Sequence, residues 1–278
     1  MCISRLTNGN AKAIAKLDEH WARNRSGDDA HALVRILSLL ESLPFLVRRE
    51  AARVIRAWLV RLVEQAEDTL VPLCADSQES VFWRLANVIS KSETRTKGVL
   101  EQRLVDALSV LAFGGIGWRE RGLGDSVNAS NLSKRKLGDV EFANVALREA
   151  IALEAHGGTV TQSYVEGHRK SLMRIVEKRL EESWMSIDSP EHWHIRLIFI
   201  AHSYSGDLPT HDMMSGVRVT YEYWNYDQLI EEAITHEIVE SVPQVVSDYV
   251  FVPLNRQVVP QWIRDRTQKI IDGIEGED

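Results

Sequence analysis

The sequence predicts an α+β protein: a helical N-terminal bundle followed by a sandwich of helices around a mixed central sheet. Three observations carry this. Apolar residues in the first third recur at three- and four-residue steps. From Leu137 onward they alternate in twos. The run Ile195-Arg-Leu-Ile-Phe-Ile-Ala201 is almost continuously apolar, as a strand buried on both faces requires.

In the first third, Val47, Ala51, Val54, Ile55, Trp58, Leu59 and Leu62 predict one buried helical face, with Arg49, Arg53 and Arg56 opposite. Pro44 separates this helix from an earlier one ending near Leu40 to Leu43. Asp76 and Glu79 resemble a capping box for a helix carrying Val81, Phe82, Leu85, Val88 and Ile89. The short polar run from Ser90 to Lys97 suggests a junction, with domains over 1–92 and 93–278.

Beyond it a helix carries Leu100, Leu104, Leu108 and Leu111, followed by a turn-rich segment with glycines at 114, 115, 117, 122 and 124. Strand alternation then sets Val140 and Phe142 on one face and Asp139 and Glu141 on the other. A second strand over Ala150 to His156 puts Ile151, Leu153 and Ala155 opposite Ala152, Glu154 and His156. Gly157-Gly158 ends it. A long helix is expected from about Thr161 to Trp184, a half-exposed strand over Val217 to Trp224, and helices over Asp227 to Glu240 and Val259 to Gly273.

Composition is ordinary for a globular chain, at 44% hydrophobic and 26% charged residues, so disorder is not expected. No apolar run approaches the ~20 residues that span a bilayer. The first residues lack the apolar core of a secretory signal, and Cys2 and Cys74 are too few for a disulfide framework. A cytoplasmic setting is therefore expected. The net charge of −7 argues against a general nucleic-acid coat protein, yet between Arg119 and Lys136 five basic residues face two acidic ones.

Gly138-Asp139 opening one strand and Glu154-Ala155-His156 ending the next, with a helix before and a helix after, resemble the core of the PD-(D/E)xK nuclease superfamily. The resemblance covers roughly residues 97 to 236. It implies a restriction-endonuclease-like core and a metal-dependent endonuclease acting on DNA, in a bacterial defence or restriction setting. It further implies that Asp139 and Glu154 bind Mg²⁺ or Mn²⁺, and that Glu101 on the preceding helix is a candidate third metal ligand. His156 stands where the family has Lys. Paired carboxylates suit a hard cation, and an imidazole with a pKa near ~6.5 suits a base. The His-for-Lys departure leaves open a catalytically inactive module that binds nucleic acid or a partner protein.

The segment from Gly122 to Lys136 is rich in groups that bind phosphate. Ser126, Asn128, Asn131, Lys134, Arg135 and Lys136 are expected to hold a nucleic-acid backbone, of DNA first and of RNA second. His168 and Lys170, on the long helix, are candidates for the cation missing at position 156. Asp125 is a rival for the metal-binding Asp, and Glu141 is expected to face water. His192 and His194, with His202 and His211, form a weaker zinc candidate, since no spacing matches a zinc motif. No phosphate loop, dinucleotide fingerprint or nucleophile elbow is present. The N-terminal helices are expected to serve target recognition, self-association or a partner protein.

Overall fold

The computed structural model describes residues 18–23, 28–67, 71–73, 78–125, 131–182, 184–236, 242–256 and 258–273. The chain divides into two compact units, Met1–Val71 and Pro72–Asp278. The division falls before the polar run at 90–97, because the helix at 78–91 packs into the second unit's core.

The first unit holds α1 (Glu19–Arg23), α2 (Asp29–Ser42) and α3 (Phe45–Glu67). Pro44 breaks the helical path between α2 and α3, since its ring and missing N–H cannot continue a helix. Ala22, Ala30 and Val34 make a small core. The apolar stripe of α3 does not join it. Val47, Val54, Ile55, Trp58, Leu59 and Leu62 are all exposed, against the buried face that their spacing predicts.

The second unit opens with α4 (Gln78–Lys91), where Val81, Phe82, Leu85 and Ile89 are buried as their period requires. Asp76, the expected cap, lies outside the described residues. Then come α5 (Val99–Phe113), β1 (Arg119–Arg121), α6 (Asn131–Lys134), β2 (Val140–Asn144), β3 (Glu149–Ala155), β4 (Thr159–Thr161) and α7 (Gln162–Glu182). After these follow β5 (His194–Ile200), β6 (Ser203–Ser205), β7 (His211–Met214), β8 (Val217–Trp224) and α8 (Tyr226–His236). The last helices are α9 (Val242–Val246), which runs through a π-helical turn at Ser247–Phe251 into α10 (Val252–Leu254), and α11 (Gln261–Ile271).

Six strands form one mixed sheet in the order β1-β2-β3-β5-β8-β7. β1, β2 and β3 are antiparallel neighbours, β3, β5 and β8 run parallel, and β7 returns antiparallel. The β3–α7–β5 crossover explains the parallel pair, because parallel strands need a long connection. Alternation then divides the core. Val140, Phe142, Ile151, Leu153, Ile198 and Ile200 pack with α4, α5, α8 and α11. Ala143, Ala150, Ala152, Leu197 and Phe199 pack on the other face with α7. The second unit is thus a mixed sheet between helical layers.

Candidate active site at the β2–β3 end

The register pairs Val140 with Leu153, so one step further along the antiparallel ladder Asp139 stands opposite Glu154. Both lie on the α7 face by the two-residue period. Two glycines make the approach feasible. A Cβ on Gly138 would lie 2.7 Å from the Leu153 carbonyl oxygen. Gly122 has φ +92°, and a Cβ there would lie 2.1 Å from the Asp139 carbonyl oxygen.

The two carboxylates are tightly held. Asp139 Oδ2 accepts a hydrogen bond from the Ala155 N–H at 3.2 Å. Glu154 is 5% exposed, and its Oε2 accepts from Asn131 Nδ2 at 3.1 Å. The Asp139 main chain and the Tyr164 hydroxyl also donate to Glu154. Both carboxyls are raised to about 7, chiefly by burial, and at Asp139 the neighbouring Glu154 charge is the second cause. Lys136 opposes both shifts. Its ammonium donates to the Asp139 carbonyl at 2.8 Å and pairs with Asp125 Oδ2 at 3.2 Å.

The imidazoles are arranged differently from the expectation. His156 and His168 flank the Tyr164 ring, at centroid distances of 4.4 and 4.5 Å. His168 Nε2 lies 3.4 Å from Glu154 Oε1. His156 instead bonds the Thr159 backbone and feels the charge of Glu93. Burial lowers the pKa of both rings; His168 further lowers His156, while Asp139 partly offsets the shift at His168. Of the two, His168 is the ring in reach of the carboxylate pair.

Several expected roles change. Glu101 is buried, but it accepts from Thr94 N, Thr94 Oγ1 and Thr96 Oγ1 at 2.8 to 3.1 Å and so anchors the turn before α5. The α5 carboxylate coupled to Asp139 is Asp106. It is fully buried and raised to about 7, chiefly by burial. It pairs with Arg103 at 2.9 Å and accepts from Gly124 N at 3.0 Å, while its Oδ1 has no hydrogen-bond partner among the described residues. Sequence reading missed Asp106 because α5 looks one-sided when both of its faces are covered.

Among the phosphate-binding candidates, Ser126 and Asn128 lie outside the described residues. Asn131 is spent on Glu154, and Lys136 is buried, so neither presents itself to a nucleic-acid backbone. Lys134 is exposed but pairs with Asp125 at 2.6 Å. Burial works against the charge of Asp125, yet Lys134 and Lys136 outweigh it and hold the carboxyl below its usual range. Arg135 and Lys170 are exposed. Glu141 does not face water: it is 1% exposed and forms a fork with Arg179 at 2.5 and 2.7 Å. His192 bonds Asp188 and His194 bonds Thr220, each at 2.9 Å, so the two are engaged separately.

Among the described residues no group of three or more His, Cys, Asp and Glu side chains is set to hold a metal ion. Two carboxylates still fit Mg²⁺, which keeps several waters and is bound through one or two carboxylates. Their enforced closeness in a dry setting is the feature a cation would relieve. No protein-family model, curated protein or solved structure matches the chain. Among the described residues no helix is long and apolar enough to cross a membrane.

Proposed function

We propose that the Asp139–Glu154 end of the sheet is a metal-dependent phosphodiesterase site acting on DNA, in a restriction-endonuclease-like core. The observation that carries this reading is the cross-strand pair of carboxylates, Glu154 buried and Asp139 half-buried, both raised to about 7 beside two close glycine–backbone approaches. The order helix, three strands, helix, strand around it supports the same reading.

A bound Mg²⁺ or Mn²⁺ would polarise a phosphoryl oxygen and make bound water more acidic. Asp139 and Glu154 would hold it. Tyr164 and Asn131 orient the Glu154 carboxylate, and Lys136 fixes the Asp139 main chain while lessening the pair's repulsion. His168 is neutral near pH 7 because burial lowers its pKa, so it is free to take a proton from attacking water. Arg135 and Lys170 would neutralise phosphate. His156 supports the Tyr164 ring and has no step in this scheme.

The withdrawal of His156 and the burial of Lys136 favour a second reading, a non-cleaving module that binds nucleic acid. Incubation of the protein with supercoiled plasmid and Mn²⁺ separates the two. The enzyme reading expects nicked or linear product that disappears in Asp139→Asn and Glu154→Gln. Retention of DNA on a gel without any product supports the module instead.

A further inference from the structure

We infer that α3 is a dimerisation helix that pairs antiparallel with α3 of a second copy of this chain. The inference is independent of the proposed chemistry. α3 spans 23 residues, about 34 Å at 1.5 Å per residue. It exposes Trp58 at 63%, together with Val47, Val54, Ile55, Leu59 and Leu62. At 100° per residue these six and Ala51 fall within one stripe, while Arg49, Arg53, Arg56 and Glu64 lie opposite. An exposed stripe of this length, apolar apart from Arg48 near one end, is more than a solvated helix carries without a partner.

Charge chooses the occupant and its direction. Residues 45–56 contain four arginines and one glutamate, whereas residues 57–67 contain one arginine and two glutamates. A parallel, in-register copy would set Arg48, which lies within the stripe, against itself. An antiparallel copy carries the two Arg48 side chains to opposite ends of the seam. A two-fold axis between Arg56 and Ala57 places Val54 beside Leu59, Ile55 beside Trp58 and Ala51 beside Leu62 of the second copy. Small thereby meets large, as interdigitation requires. The same axis brings Glu50 near Arg61 along one edge of the seam.

Sedimentation velocity on the full chain tests this. The expected species has twice the 31.6 kDa chain mass. Trp58→Glu with Leu62→Glu should weaken association by at least about tenfold, given the area lost from the seam. Circular dichroism on the same variant checks that the second unit's melting is unchanged. Glu50→Arg alone should weaken the dimer, and Glu50→Arg with Arg61→Glu should restore it. A monomeric wild type would overturn the proposal. A dimer indifferent to the double glutamate variant would overturn it too. Failure of the charge exchange to restore association would refute the antiparallel pairing.

Discussion

Replacing Glu154 by Gln should remove the proposed activity and at the same time stabilise the protein at high pH. The folded Glu154 carboxyl lies at about 7 against an ordinary 4.5. Its folded pKa is raised, so between those values the folded state binds more protons than the unfolded state. The contribution to stability is therefore complete below about pH 4.5 and is lost as pH rises through about 7. At about 1.36 kcal/mol per pH unit between those values, the loss by pH 8 is on the order of 3 kcal/mol at most. Gln keeps the shape and accepts from Asn131 and Tyr164 without the buried charge. Allowing for weaker hydrogen bonds to a neutral acceptor, we expect a gain of about 2 kcal/mol, or roughly 4–8 °C in Tm. Calorimetry without divalent cations at pH 5 and pH 8 measures it. The two proteins should melt together at pH 5 and diverge at pH 8, with Mg²⁺ raising only the wild type. A Glu154→Gln protein less stable than wild type at pH 8 would refute this reasoning.

Other consequences follow from the same geometry. Gly122→Ala forces a Cβ into the Asp139 carbonyl at positive φ, and should cost at least about 2 kcal/mol in urea denaturation while disordering the site. Glu141→Ala strands the Arg179 guanidinium inside the α7 face and should cost about 3–5 kcal/mol, whereas joint replacement of both by apolar residues should cost far less. His168→Ala should reduce plasmid cleavage by roughly a hundredfold as a lost base, while His156→Ala should reduce it several-fold at most. Equal losses in the two would remove His168 from its assigned role.

Much of this arrangement was legible in the sequence. Two-residue alternation located β2, β3 and β8, and a continuous apolar run located β5, each to within about two residues; Gly138 and Gly157 marked the start of β2 and the end of β3. That alternation also put Asp139 and Glu154 on one side of neighbouring strands. The short strands β1, β4, β6 and β7 went unseen because three or four residues show no period, and pairing partners far along the chain create them. Glu141 was misread for a related reason. Its face is polar in sequence, and the partner that makes burial of its charge tolerable, Arg179, lies 38 residues on. Asp106 was hidden because α5 is enclosed on every side, and only the folded chain brings the Gly124 N–H to it. For α3 the stripe was correctly read and its burial was not, since periodicity identifies an apolar face without identifying what covers it.

Asp139 and Glu154 are proposed to hold a divalent cation together. Titration calorimetry with Mn²⁺ at pH 7.5 tests it without requiring the right nucleic acid. One saturable site on the wild type and on Glu101→Gln, lost in Asp139→Asn and in Glu154→Gln, is the predicted result. Mn²⁺ binding that persists unchanged in both carboxamide variants, or no binding by the wild type, would contradict it.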